Sequence, residues 1–233
     1  MCALAKLPKG SAHRLLASLQ TAGLLQRNVQ GHYQLGYAFL QFGHLVAQRL
    51  DIRQVALPVM HDLLNATREA VSLVLQDGHE AIYIERLEST QPVRTYTRIR
   101  RRAALHAGAC PRAILTFLPD EAIEAYLNHV ELTRYARGTL TNPDTLRHHI
   151  QHDRGTGFTV SYSELEDDTA GVAAPIYHAD GSVAGSLSLS GPESHFGPDR
   201  VTALAAHTKN AAQRLSLQLG ASPTTASQLR QAH

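Results

Sequence analysis

The stretch "LPKGSAHRLLASLQTAGLLQR", Leu7 to Arg27, decides how the fold is read. Pro8 suits the first turn of a helix, where its missing N–H is no loss. Ala12, Leu15, Leu16 and Leu19 then recur at helical spacing, which predicts an apolar face packed inward. Gly23 fits the residue that closes a helix. Lys9, Ser11, His13 and Arg14 fall in the opening turns, outward or sideways. The pieces 24–29 and 32–35 read as short strands around Gln30-Gly31, a hairpin bearing Arg27, Asn28, His32 and Tyr33. Helix plus hairpin with these side chains describes a winged helix-turn-helix. The helix would enter the major groove, where arginine reads guanine and Ser, His and Lys reach bases or phosphates. The hairpin would lie on the backbone or in the minor groove. The same residues also fit an amphipathic surface helix followed by a plain hairpin.

Charge bears on that choice. Residues 1–50 hold five Lys/Arg (Lys6, Lys9, Arg14, Arg27, Arg49) and no Asp or Glu, and the first acid is Asp51. The remaining seventeen bases face all 20 acids. A cationic head on a slightly acidic body suits a polyanion; a solvated, acid-poor window is the plainer reading. Two cysteines, Cys2 and Cys110, make no disulfide framework and suit a reducing compartment. With no leader-like segment and no membrane-length apolar run, a soluble cytoplasmic chain is expected.

Beyond the hairpin, "YAFLQFGHLVAQRL" (Tyr37–Leu50) is amphipathic and predicts a linker helix over 37–52. A second helix follows, with Asp51 as its N-cap candidate and Pro58 opening or kinking it. Past about residue 70, Asp77-Gly78 joins two strands and 93–100 supplies a third. Helices are expected over "GACPRAILTFLP", over "DEAIEAYLNHV" with Asp120 as N-cap, and from Asn142-Pro143 to about Gly155. Strands "FTVSYSEL" and "GVAAPIYHADGSVAGSLSLSGP", the latter turning at Asp180-Gly181, precede a helix from Pro198 to about Leu219. Strands and helices without strict βαβ alternation predict an antiparallel α+β domain over 53–220 and a frayed tail over 221–233.

Three separated segments resemble the IclR family of bacterial transcription regulators. Residues 3–36 resemble its recognition helix and wing. "LHAGACPRAILTFLP" (Leu105–Pro119) resembles the segment opening its effector domain. "GFTVSYSELEDDTAGVAAPIYHADGSVAGSLSLSGP" (Gly157–Pro192) resembles its C-terminal signature, through Gly157, Ser161, Glu164, Val172, Ala173, Ile176 and Tyr177. The chain departs from the family at Gly171 (usually Cys, Ser or Ala), at His178 (usually Asp or Asn) and at Pro111-Arg112 (usually Gly-Lys). Family members also carry a first helix ahead of "ALAKL", so a weakened DNA-binding unit over residues 1–36 is expected.

The resemblance implies a GAF-like effector domain binding a small organic or aromatic acid. Its pocket would use Gly108, Ala109, Ser161, Gly171, Ser188 and Ser190, with Leu105 as an apolar wall. Gly108 and Ala109, leading into a helix, would offer backbone N–H groups to a carboxylate. Ser188 and Ser190 are two apart and share a strand face; by spacing alone "SLSLS" reads equally as serines turned to water. The resemblance further implies a ligand-responsive regulator, commonly a repressor, acting on operator DNA as a homodimer or dimer of dimers. It implies no cofactor, no enzymatic activity and no membrane.

Several signals fit duller roles. Glu164 braces a loop or lines the pocket, with bracing the better fit. Cys110 reads as a small buried residue. His148 and His152 have zinc-ligand spacing but no placed partner. "RIRRR" (98–102) fits a solvated strand end. No Gly-x-Ser-x-Gly elbow or His-Glu-x-x-His motif supports a hydrolase. A ligand-binding dimer without DNA binding is the alternative function.

Overall fold

The computed structural model describes residues 8–42, 52–89, 91 and 99–223. The chain divides into two compact units, residues 1–51 and 52–233. Predicted features on 43–51 (most of the linker helix, and Asp51), on 93–98 of the third strand, at Arg98, at Leu7 and on most of the tail lie outside the described residues.

In the first unit, α1 spans Lys9–Thr21 with Pro8 at its N-cap. Gly23 closes it at φ +70°. Its N–H donates to Gln20 O (2.9 Å) and the Leu24 N–H to Leu19 O (2.9 Å), a Schellman stop. Strands β1 (Leu25–Arg27) and β2 (Tyr33–Leu35) then pair antiparallel, with Arg27 opposite Tyr33. Gly36 lies so close to the helix stop that a Cβ there would sit 1.9 Å from Gly23 O. The inward packing expected of the leucines is not met: no α1 residue is buried, and Leu15 is 50 % exposed. One helix, a two-stranded hairpin and a helical piece over 38–42 present too little surface among the described residues to cover that face.

The second unit is a six-stranded antiparallel sheet with helices on both faces. It comprises α2 (Ile52–Thr67), β3 (Ala70–Asp77), β4 (Glu80–Leu87), β5 (Arg102–Ala104), α3 (Ala109–Thr116), α4 (Asp120–His129), α5 (Pro143–Thr156), β6 (Thr159–Tyr162), β7 (Thr169–Tyr177), β8 (Val183–Pro192) and α6 (Pro198–Gln218). The strand order is β5-β4-β3-β8-β7-β6. Pro58 lies inside α2, which runs through it rather than starting there. Asp120 is the first residue of α4 rather than its cap; Pro119 holds that place, and the Asp120 carboxylate pairs with Arg154 at 2.5 Å. Asn142 caps α5 by accepting from the Asp144 and Thr145 N–H groups, both at 2.9 Å. That helix runs past Gly155 and stops at Gly157, the first glycine to reach φ +78°.

Period-two alternation sorts the sheet's side chains between two cores. Val71, Leu73, Val172, Ala174, Ile176, Leu187 and Leu189 face α2 and α6. Val74, Ala81, Tyr83, Ala103 and Ala173 face α3, α4 and α5. Polar residues on that second face, Ser72, Ser161, Ser186 and Ser188, are buried with them.

Candidate effector cavity and DNA-facing elements

The cavity lies between the α3 face of the sheet and the start of α3. It encloses about 60 Å³, room for a few waters, and widens to about 510 Å³ including its mouth. Six of the seven predicted pocket residues line it: Gly108, Ala109, Ser161, Gly171, Ser188 and Ser190. Leu105 does not; it is buried in the core behind, with Tyr83, Cys110 and Ala113. The outward reading of "SLSLS" is overturned, since Ser186 and Ser188 are buried against α3. Ser186 Oγ donates to Cys110 O at 2.7 Å, locking strand to helix. Cys110 is a buried thiol whose pKa burial pushes up to about 11, so it is no nucleophile at neutral pH.

Gly171 lets the helix approach the sheet. A Cβ there would lie 3.0 Å from Leu189 O and 3.3 Å from Ala109 Cβ. Gly108 is required for another reason. Its φ of +90° suits glycine, and a side chain would meet Leu165 Cβ at 3.3 Å.

The backbone donors expected to hold a carboxylate are already engaged. Gly108 N–H donates to Glu164 Oε2 (3.0 Å) and Ala109 N–H to Ser161 Oγ (2.8 Å). The protein's own carboxylate therefore takes the helix N-terminus, as the macrodipole favours. Glu164 braces the loop, in line with the duller of its two readings. Arg112, fully buried, donates Nε to Glu164 Oε2 (3.2 Å) and Nη2 to Glu164 Oε1 (3.0 Å). It also pairs with Asp153 and with Val160 O. Two carboxylates share one cation here. Burial raises the Asp153 pKa from 3.8 to about 6, with Arg112 opposing, and burial likewise raises that of Glu164. The Cys110 N–H, second in α3, has no hydrogen-bond partner among the described residues.

Sequence reasoning missed Ser72, Tyr83, Arg86, Arg101, Leu165, Glu166 and Thr169, which also line the cavity. Ser72 left a trace as the one polar residue in the run Ala70–Leu75, and Arg101 lies in "RIRRR", read as a solvated strand end although it faces the cavity. Arg101 pairs with Glu166.

In the first unit, Lys9, His13, Arg14, Arg27 and His32 are exposed, and Ser11, Asn28 and Tyr33 are half-buried. Lys9, Ser11, His13 and Arg14 share the first half of α1. Arg27 donates to Tyr33 Oη at 2.7 Å and stacks on its ring with Cζ 4.8 Å from the centroid. Asn28 is less free than expected. Its Oδ1 accepts from the Gln30 and His32 N–H groups (3.1 and 2.9 Å), shaping the turn. Among the described residues no cluster of three or more His, Cys, Asp or Glu is placed to hold a metal, and no helix is long and apolar enough to cross a membrane.

A helix-and-hairpin head with cationic side chains in its first helix, in one chain with a sheet domain enclosing a polar cavity, is the arrangement of a helix-turn-helix transcription regulator. Residues 44–217 match the family model "Bacterial transcriptional regulator IclR C-terminal". The chain is 48 % identical over 220 residues to the HTH-type transcriptional regulator KipR of Bacillus subtilis, covering 94 % of this chain and 88 % of that one. It is 29 % identical over 221 residues to the HTH-type transcriptional repressor AllR of Salmonella typhimurium, covering 94 % and 81 %. Among solved structures, Thermotoga maritima IclR superposes with a TM-score of 0.71 at 28 % identity, covering 94 % of this chain and 89 % of that one. An IclR homologue from Microbacterium hydrocarbonoxydans complexed with 4-hydroxybenzoate superposes with a TM-score of 0.66 at 28 % identity, covering 95 % and 90 %. This chain belongs to the IclR family of bacterial transcriptional regulators.

Proposed function

We propose that the protein is a homodimeric repressor whose operator affinity is set by a small organic acid bound in the cavity between α3 and the sheet. The observation that carries this reading is the cavity itself. Its lining holds two guanidinium groups, Arg86 and Arg101, against one carboxylate, Glu166, together with the hydroxyls of Ser72, Ser161, Ser188 and Ser190. Such a lining favours an oxygen-rich anion. The 4-hydroxybenzoate carried by the Microbacterium homologue is of this class, and the designation of AllR as a repressor supports the sign of the response. Gly108, Ala109, Gly171 and Ser161 shape the wall, and Ser188 and Ser190 supply hydroxyl donors. Lys9, Ser11, His13 and Arg14 on α1 face the major groove, while Arg27, His32 and Tyr33 at the hairpin meet the phosphate backbone, with Asn28 holding the turn. Two such heads in a dimer, or four in a dimer of dimers, would read a pseudo-palindrome.

The test is fluorescence-anisotropy titration of the DNA upstream of the protein's own coding sequence, at two salt concentrations, with competitor DNA, with and without 4-hydroxybenzoate and other small carboxylates. Specific binding that falls steeply with salt and changes when a carboxylate is added is the expected result. Specific binding that no carboxylate alters would remove the acid-sensing part. Loss of all specific binding would leave only a ligand-binding dimer.

A further inference from the structure

We propose that Glu166 is a built-in stand-in for the effector: its carboxylate holds the place on Arg101 that the effector's carboxylate takes, so that the two compete for one guanidinium at the mouth of the cavity. This rests on the cavity being the effector site.

The argument begins with which donors in the lining can change partner. The Gly108 and Ala109 N–H groups donate to Glu164 and Ser161. Glu164 is 5 % exposed and takes two more donors from Arg112. Arg86 is buried, with its guanidinium against Ser72, Ser190 and Glu88. Parting these groups would leave charge buried without its partner. Arg101 is placed differently. Its side chain is 27 % exposed and pairs with Glu166, which is 42 % exposed. Water screens such a pair and solvates whichever charge leaves it, so exchange is cheap.

The backbone fixes both residues at the mouth and leaves their side chains free to move. Arg101 stands just before β5, and the Tyr83 N–H donates to its carbonyl at 3.0 Å. Alternation sends Arg102 outward to Asp77 and Glu80 and turns Arg101, with Ala103, to the cavity side. Glu166 lies in the loop 163–168 between β6 and β7. The Ser163 N–H closes the neck of that loop on Thr169 O at 2.7 Å, and Thr169 Oγ1 donates to Glu166 O at 2.7 Å. Glu164 anchors the same loop to α3, with Leu165 lying over Gly108. Two ion pairs two residues apart therefore do different things: the dry one at Glu164 holds the loop, and the wet one at Glu166 can be replaced. Exchange needs only the Glu166 side chain to turn into water, with the loop backbone in place. An incoming acid then meets Arg101 with its carboxylate and lays its body against Leu165 and Ala109. A neutral molecule of the same shape gains no entry, because it would trade a carboxylate on the guanidinium for an uncharged acceptor.

The experiment is an NMR titration of the full-length, isotope-labelled protein with sodium acetate and, separately, with acetamide at matched ionic strength. The two probes share size and shape and differ in charge. A saturable shift of the Arg101 Nε–H resonance with acetate and not with acetamide is expected. Glu166→Gln should lower the acetate dissociation constant by about two- to fivefold, the worth of a half-exposed ion pair. Arg101→Gln should raise it by about tenfold, with Arg101→Lys between. In the Arg101→Gln background, Glu166→Gln should change little. A gain as large without Arg101 would mean that Glu166 merely repels anions, and no gain in Glu166→Gln alone would mean that it does not compete; either result overturns the proposal. The backbone amide spectrum of each variant reports its folding, and the wild-type titration stands whether or not a variant folds. Saturable acetate shifts at the Ala109 and Cys110 amides without one at Arg101 would overturn the exchange while leaving the cavity as an acid site. No saturable shift at any of the three would overturn both.

Discussion

Gly108 sits at φ +90° with Leu165 Cβ 3.3 Å from where a methyl group would project. Gly108→Ala should therefore cost about 1–3 kcal/mol, read as a lowered urea midpoint at unchanged slope. An unchanged midpoint would mean that the loop relaxes freely. Arg112 makes a stronger case. Removing its charge leaves Glu164 and Asp153 buried without a cation, so Arg112→Met should cost about 3–5 kcal/mol. Adding Glu164→Gln and Asp153→Asn should recover much of that loss; if the triple variant is no more stable than the single one, the charge argument is wrong. The sequence carried these residues unequally. Gly108 and Gly171 stood out as glycines next to a predicted helix and in a predicted strand. Arg112 was noticed only as a departure from Gly-Lys. Arg86 left no mark, because a basic residue in "YIERLES" reads as one more solvated strand position. Its burial follows from the helix packed on that face, which alternation along one strand does not reveal.

Among the elements, α3, α5 and β6 are joined through Arg112, by way of Asp153 on α5 and Val160 O on β6. The same triad links this junction to pH. Glu164 receives three donors, two from Arg112 and one from Gly108, so Asp153 is the carboxylate that more readily takes a proton. Its folded pKa, about 6, lies above the ordinary 3.8, so the native state holds that proton longer than the unfolded chain does. The resulting stabilisation is complete below about pH 4 and is lost as the pH rises to about 6. Denaturant midpoints measured across that window should show a downward contribution that is absent in Asp153→Asn. The turns at Gly78 and Gly181 and the Asn142 cap were legible because local chemistry fixes them, whereas the third strand was misplaced: residues 99–100 form a turn and β5 begins at Arg102. The end near Gly155 held to within a residue of Thr156, but the cap at Asp120 was misplaced because capping depends on where the side chain goes. Asp120 spends its carboxylate on Arg154, and Gly157, not Gly155, takes the left-handed turn.

For the molecule as a whole, the proposed function assigns separable tasks to the cationic head and the cavity domain. Arg14→Ala should weaken operator binding and reduce the steepness of its salt dependence by about one unit of logarithmic slope, with acetate affinity unchanged. Equal operator affinity would remove Arg14 from the DNA-facing set. If the effector sets operator affinity as proposed, operator must alter effector affinity by the same factor, which two titrations on one preparation measure directly. The α+β class and the family were readable because three motifs appear in order along the chain. Coverage of the α1 leucines was not readable, since it depends on what packs against them.

The sheet is a partition one strand thick. On β3, Ser72 looks into the cavity, while its neighbours Val71 and Leu73 pack in the core formed with α2. A peptide unit is stiff, so whatever lifts or tilts Ser72 tilts the wall of the adjoining room by the same stroke. α2 is the first described element after residue 51, and so the occupant of that adjoining room lies next in the chain to the DNA-reading unit. Filling the cavity should change the hydrogen-exchange protection of the α2 amides before any change registers in α5. If α5 responds and α2 does not, the stroke travels through the Arg112 junction instead.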